Sequence, residues 1–327
     1  MRSPSEKDGN MSFDFGIKIS EKTQSNLKAL SKKQSVLEER RICELSELAL
    51  DIVNSASELY SYGMSIYEIL TLLSESPLLP AEEPHTEAMK ENVFALKHYL
   101  SGLSSLDKSQ LSRLIFEKLS ELGINIGEKD FLQDVKQPET FVYVKNSYAD
   151  EAYDVFSQDF VDPRVRYAKD FKEALSLLSK GEVGYCLLPF EDGGVRIKTV
   201  DRLIFSGDFK INAVTCVFGL DGEADMKYCL VSKGFLVKEY SKDDDRYLEL
   251  RAAKDSDDLL SELIFVAESL GSSVYRINST SFASEEGERP YYSILLREIG
   301  RDFCKLLIYL TLFNRDFSIL GIYKNLE

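Results

Sequence analysis

Tyr247-Leu-Glu-Leu-Arg-Ala252 alternates apolar and polar side chains, as a strand with one buried face does. After it, apolar residues recur every three or four positions over 259–270, where Gly271 ends a predicted helix, and again over 303–313. Further strands are predicted at 274–282, 291–298 and 317–323. This order of strand, helix, strand, strand, helix and strand is typical of the split βαβ, ferredoxin-like arrangement.

Composition narrows the class of protein. The chain of 327 residues is long enough for two or three domains. Its net charge is −15, so we expect no basic surface of the kind that binds nucleic acid. No apolar run reaches the length of a membrane span, so we expect no membrane segment. Residues 1–10 are polar and predict a disordered tail rather than a secretory signal.

The cysteine and histidine content limits the kinds of metal site and catalytic site that the chain can form. The five cysteines show no CxxC spacing and predict reduced thiols in a cytoplasmic protein. The chain has two histidines, His85 and His98, which we interpret as solvated helix residues. We therefore expect neither a histidine-based metal site nor a Ser-His-Asp triad, and we predict no cofactor.

Residues 11–135 are predicted to be helical. One or two long helices cover 17–62, Ser65-Ile-Tyr-Glu68 has the spacing of a capping box, and helices follow at 86–100 and 107–122. Helix packing or dimerisation is the default role of such a region. A chorismate mutase site would need converging basic side chains, but the available ones do not match that family's spacing: Arg40, Arg41, Lys90, Lys97 and Arg113.

Residues 140–236 alternate short strands with helices. This alternation favours a mainly parallel sheet with helices on its faces. We expect strands at 141–144, 165–167, 185–189, 209–218 and 227–232, with helices at 150–160, 171–179 and 195–205.

Three segments resemble one known family. Val274-Tyr-Arg-Ile-Asn-Ser-Thr-Ser-Phe282 and Leu320-Gly-Ile-Tyr323 resemble strands of the amino-acid-sensing ACT domain, especially that of prephenate dehydratases. Gly181 to Val195, with Pro189, Glu191 and Asp192, resembles the dehydratase segment that runs into a Pro-Ile-Glu-Asn-Ser turn. The resemblance implies a periplasmic-binding-protein-like α/β lobe over 140–236, followed by an ACT domain over 246–327.

The chain departs from that family where its chemistry lies. Met226, Lys227 and Tyr228 stand in place of its Thr-Arg-Phe motif, and a thioether donates neither a proton nor a hydrogen bond. Residues 145–148 contain no glycine. The interval from Pro189 to Met226 is too short for a second lobe, so we expect a truncated, degenerate dehydratase with no catalytic residues.

One serine and three groups of polar residues are candidates for ligand binding. Ser147 begins a helix, and Glu191 with Asp192 is either a remnant of a substrate-binding turn or an acidic helix N-terminus. Asp255 and Ser256 are either helix caps or contacts to an amino-acid ammonium group. The third group either binds an effector carboxylate or forms cross-strand polar pairs: Asn278, Ser279 and Thr280.

Three functions are consistent with these patterns. The chain is predicted to sense an amino acid or an aromatic-pathway acid and to form homo-oligomers through its ACT module. An active prephenate dehydratase is the first alternative. A helical protein-interaction module is the second.

Overall fold

The computed structural model describes residues 21–74, 99–132, 135–218, 226–236, 245–253, 257–284, 287–298, 303–314 and 316–326. The chain divides into two compact units, Met1–Glu47 and Leu48–Glu327. The main α-helices are α1 Glu21–Ser61, α2 Ile66–Ser74, α3 Ser105–Glu121, α4 Ser147–Phe156, α5 Phe171–Ser179, α6 Lys198–Ser206, α7 Asp257–Ser269 and α8 Cys304–Phe313. The strands are β1 Thr140–Val144, β2 Arg164–Ala168, β3 Tyr185–Asp192, β4 Val195–Arg196, β5 Lys210–Val217, β6 Met226–Ser232, β7 Arg246–Ala253, β8 Ser272–Ser284, β9 Gly287–Glu298 and β10 Phe317–Leu326.

Local capping signals set the ends of the N-terminal helices. The capping box predicted at α2 is present, since Glu68 N donates to Ser65 Oγ at 3.2 Å and Ser65 N donates to Glu68 at 2.9 Å. The carboxylate of Glu68 accepts hydrogen bonds from the backbone N–H and from the hydroxyl of Ser65, and these two bonds, that of the backbone first, lower the pKa of Glu68. Helix α3 begins with a second box, formed by Ser104 and Asp107, that the sequence analysis did not identify. The tail 1–10, His85, His98 and most of the helix predicted at 86–100 lie outside the described residues.

The lobe predicted over 140–236 contains a mixed sheet in the order β2-β1-β3-β6-β5. Strand β1 pairs in parallel with β2 and β3, whereas β6 pairs antiparallel with both β3 and β5. The sheet is therefore less parallel than expected. Strands β5 and β6 are sequential neighbours joined by residues 218–225 alone, and eight residues cannot contain a second α/β lobe.

A glycine pair changes the predicted end of β3. The predicted helix at 195–205 starts too early, because Gly193 and Gly194 form a two-residue hairpin loop between β3 and β4. Both glycines have positive φ, 53° and 77°, as a type I′ turn requires. Glu191 and Asp192 consequently end a strand, so our interpretation of them as an acidic helix N-terminus is wrong.

The C-terminal region has the predicted ferredoxin-like topology. Its four strands lie in the order β10-β7-β9-β8 and all pair antiparallel. Helix α7 separates β7 from β8, and α8 separates β9 from β10. Strands β8 and β9 extend further into their connecting hairpin than the sequence predicted.

One continuous sheet joins this region to the lobe. Strand β10 pairs antiparallel with β7 and, at its end, in parallel with β5, where Asn325 lies opposite Val214. Gly321 permits the approach, because a Cβ there would lie 2.2 Å from the carbonyl oxygen of Ile211. That 140–236 and 246–327 are separate domains stays a prediction. Within the described residues, their strands form a single ten-stranded sheet.

The two faces of the lobe sheet carry separate apolar cores. One core, with Phe141, Tyr185 and Leu230, packs against α4. The other includes Leu188 and Cys229 from the lobe together with residues from the ferredoxin-like strands: Tyr247, Leu295 and Tyr323. The apolar core is therefore shared across the junction as well.

The helical segment after residue 48 packs against the ferredoxin-like region. Lys108 of α3 forms an ion pair of 2.8 Å with Glu262 of α7, and Tyr309 donates a hydrogen bond of 2.7 Å to the same carboxylate. Glu128, in a short 3₁₀ turn after α3, pairs with Arg246 of β7. Contacts of this kind make residues 48–327 one compact unit.

Candidate functional site

The first predicted site lies where α4 begins, beside β6. Asn146 caps the helix, since its Oδ1 accepts a hydrogen bond of 2.9 Å from Ala149 N, and the hydroxyl of Tyr228 donates to the same oxygen at 3.3 Å. Burial raises the pKa of the Tyr228 phenol, and the bond to Asn146 offsets part of this effect. The phenol is therefore a neutral donor to a capping amide, while Ser147 beside it is exposed.

Strand alternation sends Lys227 to the opposite face of β6. There its Nζ lies 3.5 Å from Oε2 of Glu191, which is opposite it on β3. Met226 packs against the apolar core on the α4 side. The three residues that we predicted to lie at the position of the dehydratase motif are thus divided between the two faces of the sheet and do not converge on one space.

Glu191 belongs to a buried ion cluster that links the lobe to the ferredoxin-like region. Its carboxylate lies 3.5 Å from Arg196 Nε and also pairs with Arg276 of β8. Arg196 in turn pairs with Glu249 of β7 and lies 3.3 Å from Asp201 of α6. We define the ion cluster by these residues and Lys227: Glu191, Arg196, Asp201, Lys227, Glu249 and Arg276.

Both carboxylate oxygens of Glu249 also accept hydrogen bonds. Ser293 donates to Oε1 at 2.8 Å and Tyr323 donates to Oε2 at 2.6 Å, so both oxygens have partners although the side chain is only 1% exposed. The guanidinium of Arg196 also lies over the ring of Phe190, 3.5 Å from its centroid. Burial by itself lowers the pKa of Arg196, but the surrounding acidic groups, Glu249 first, outweigh it and raise that pKa.

Two β-bulges bring Glu191 and Arg276 together. In β3 the register shifts between Pro189 and Glu191, which turns Glu191 onto the face that carries Leu188. In β8 it shifts between Val274 and Arg276, which turns Arg276 towards the lobe. Regular alternation would place both side chains on the other faces of their strands.

The ion cluster is balanced in charge and almost closed to ligands. It contains three carboxylates and three cationic groups. The cavity that Glu191, Lys227 and Arg276 line has a volume of about 10 Å³, which is the space of one water molecule. A dicarboxylic substrate does not fit there, so the chemistry of this arrangement is that of a structural salt-bridge network.

The second predicted site lies on β8. Asn278 is opposite Ser293 and Ser279 is opposite Tyr292, so these consecutive residues point to opposite faces of the sheet. Ser279 borders a shallow depression of about 240 Å³ with Lys198 and Arg202 of α6. Thr280 lies in β8, and Asp255 and Ser256 are outside the described residues.

Sequence reasoning did not identify most of the ion cluster. Arg196, Asp201, Glu249 and Arg276 were assigned to ordinary helix or strand positions. For Glu249 the local signal was misleading, because its alternation with Leu248 and Leu250 predicts a solvent-facing position, whereas the side chain is buried. The pairing itself depends on bulges and on a long-range junction, which single-sequence patterns do not encode.

Comparisons with known proteins give structural neighbours only. No family model matches the chain, and no curated protein does. A prephenate dehydratase from Streptococcus mutans aligns with 57% of this chain and 99% of its own, at 14% identity and a TM-score of 0.44. A prephenate dehydratase from Arthrobacter aurescens, solved with L-Phe, aligns with 56% of this chain and 89% of its own, at 14% identity and a TM-score of 0.41. A structure described as a novel type of quorum-quenching acylase, GqqA, aligns with 57% of this chain and 95% of its own, at 13% identity and a TM-score of 0.43.

Two further features are absent from the described residues. No helix in that part of the chain is both long and apolar enough to cross a membrane. In the same residues, no group of three or more His, Cys, Asp and Glu side chains is arranged to hold a metal ion.

Proposed function

We propose that this protein is a non-catalytic relative of the prephenate dehydratases that senses a small amino acid or aromatic-pathway acid. One observation supports the loss of catalysis most strongly. Glu191 and Lys227, the polar residues at the positions resembling the family's binding and catalytic segments, neutralise each other inside the ion cluster. The adjoining space of about 10 Å³ has room for no more than one water molecule. A dehydratase needs a proton donor and anion-binding groups that face a substrate-sized cavity.

A sensing role is consistent with the complete ferredoxin-like region. The ferredoxin-like region, which we propose is an ACT domain, has its strand and helix order intact. Strand β8 is the last in the sheet order and exposes Tyr275 and Ile277. We propose that homo-oligomers form through this region, because an unpaired strand edge can pair with a second chain. A cytoplasmic location is part of the same proposal, since the described cysteines are free thiols and Cys186 and Cys229 are fully buried.

A thermal-shift screen tests the sensing role. The full chain is heated with each of the twenty amino acids, prephenate and arogenate, and a ligand that binds the folded state raises the unfolding temperature by mass action. We expect at least one of these acids to produce a dose-dependent shift. Absence of a shift with all of them contradicts the proposal.

A direct assay separates this proposal from an active dehydratase. The protein is incubated with prephenate and the formation of phenylpyruvate is measured against a protein-free control. We expect no increase over the spontaneous rate. Turnover that Glu191→Gln or Lys227→Met abolishes, with the variants still folded, favours the enzyme instead.

Exposed apolar side chains on α1 favour a second candidate function, a helical interaction surface. Leu30, Val36, Leu37 and Ile42 are each at least half exposed. Light scattering on the wild type and on a Leu30→Ser/Leu37→Ser variant tests whether this stretch joins two copies of the chain. A lower mass for the variant supports that role, and an unchanged mass removes self-association through α1.

A further inference from the structure

The first part of helix α1 is exposed on all of its faces. The helix has 41 residues and is therefore about 60 Å long. Every residue at 25, 26 and 28–44 is exposed. This stretch includes four large apolar side chains: Leu30, Val36, Leu37 and Ile42.

Local interactions support this stretch only modestly. Gln34 donates a hydrogen bond of 3.0 Å to Glu38, and other side chains four residues apart pair in the same way. Each such pair contributes little, and most helical stability in proteins comes from the packing of an apolar face. Leu30 and Leu37 are 61% and 67% exposed, so their face has no such packing within the described residues.

The spacing of the two leucines fits a second copy of the same helix. Leu30 and Leu37 are seven residues apart and share one face of α1. In an antiparallel pair with its two-fold axis between residues 35 and 36, Leu37 of the second copy lies level with residue 34 and its Leu30 level with residue 41. Leucines then occupy the levels 30, 34, 37 and 41. Alternating steps of four and three residues are those of a coiled-coil seam.

The charges of the same stretch are divided between its two ends. Residues 22–33 contain four lysines and no acidic residue. Residues 34–47 contain four glutamates and two arginines, which gives a net charge of −2. Antiparallel packing brings the basic end of one copy beside the acidic end of the other, and it aligns the helix dipoles favourably. Parallel packing would instead bring like charges together.

We propose that residues 22–47 of α1 form an antiparallel two-stranded coiled coil with the same segment of a second copy of the chain. A two-fold pair of this kind satisfies both charged ends with a single sequence. The proposal rests on the second candidate function above, self-association through α1, and gives that association its geometry. Each copy contributes two leucines to the seam, so we expect a reversible, concentration-dependent dimer.

Analytical ultracentrifugation of the full chain tests the pairing of charges. A triple variant that makes the basic end acidic should weaken the dimer about tenfold or more: Lys28→Glu, Lys32→Glu and Lys33→Glu. A sixfold variant that also reverses the acidic end should restore association, because the two ends are again opposite in charge; its added changes are Glu38→Lys, Glu39→Lys and Glu44→Lys. Such a rescue is not expected if the triple variant merely damages the helix, whose content circular dichroism measures.

A matched control separates local pairing from general repulsion. The control has the same change in net charge as the triple variant, made at three exposed lysines in and beside α5: Lys169→Glu, Lys172→Glu and Lys180→Glu. It should associate like the wild type. If it weakens the dimer as much as the α1 triple variant does, repulsion between whole molecules is the cause and the charge argument fails.

Double electron–electron resonance tests the orientation. Cys43 is an exposed free thiol that accepts a nitroxide label. Its level in the second copy is that of residue 28, so the two labels should be about 22 Å apart along the helix axis. A label at Ser25→Cys in a Cys43→Ser background should be about 31 Å from its counterpart along the axis. Parallel helices would place both pairs of labels side by side, so short distances at both positions overturn the antiparallel arrangement.

The outcomes separate this inference from the function on which it rests. Rescue by the sixfold variant together with two long label distances supports the antiparallel pair. If Leu30→Ser/Leu37→Ser dissociates the dimer but the rescue fails or the labels are close, association through α1 stands and the antiparallel pair is overturned. If that leucine variant keeps the wild-type mass, or if the wild type is a monomer, both fail, whereas the sensing proposal is unaffected.

Discussion

Glu249 is the residue on which the ion cluster depends most. It is buried, and three groups from three other strands converge on its carboxylate: Arg196, Ser293 and Tyr323. A buried pair contributes little net stability over apolar residues, but removal of one partner leaves the other charge uncompensated. The cluster therefore acts as a constraint on which strands meet. Loss of Glu249 would leave the buried Arg196 with only its longer contacts to Glu191 and Asp201.

Replacement of Glu249 tests this dependence. Glu249→Leu should lower the free energy of unfolding by about 3–5 kcal/mol, because Arg196 stays buried without its main partner. Urea unfolding followed by circular dichroism measures the change. The double variant Arg196→Met/Glu249→Leu should recover part of the loss, since it removes the excess positive charge, although Asp201 then loses its pairing with Arg196. An unchanged urea midpoint for Glu249→Leu is incompatible with this view.

Asp201 should make stability depend on pH. Burial raises its pKa to about 6, against the opposing effect of Arg196, from an ordinary value of 3.8. The folded state then holds a proton that the unfolded state has lost, so the contribution of Asp201 is complete below pH about 4 and is lost as pH rises through about 6.

Asp201→Asn should therefore flatten the stability profile between pH 4 and 6, and it should be neutral or stabilising at pH 7. Urea midpoints at half-unit pH intervals measure both effects. Asp192→Asn, an exposed carboxylate on β3, is the matched control and should follow the wild type. A profile for Asp201→Asn that coincides with the wild type rules out this role for the carboxyl group.

At the scale of elements, β10 joins the two sheets, and its approach to β5 requires Gly321. Gly321→Ala places a methyl group 2.2 Å from the backbone carbonyl of Ile211, and backbone cannot rotate aside as a flexible side chain does. We expect a loss of about 1–3 kcal/mol in the free energy of unfolding.

The same denaturant measurement checks it. Gly127→Ala is the control, because a Cβ there would make ordinary contacts of 3.8 Å and its backbone φ is −121°. Equal losses in the two variants would show that the close approach at Gly321 is not the cause.

At the scale of the whole molecule, the continuous sheet and the shared core predict cooperative unfolding. Residues 48–327 form one compact unit, and β10 belongs to both halves of its sheet. We expect calorimetry to show one transition for this unit, with calorimetric and van't Hoff enthalpies that agree. Two separated transitions would mean that the lobe and the ferredoxin-like region fold independently, as the predicted domain boundaries imply.

The sequence by itself determined which elements form. Apolar periodicity located the ferredoxin-like order, the spacing of Ser65 and Glu68 located a capping box, and single glycines located the ends of α3 and α7. These signals act over a few neighbouring residues. It missed the Gly193-Gly194 hairpin, although a glycine pair between strand residues is a local signal. The tertiary structure alone decided that Glu191 contacts Lys227 and Arg276. These partners are distant in the chain and are brought together by two bulges and by the junction of β10 with β5, and no local pattern specifies such a meeting.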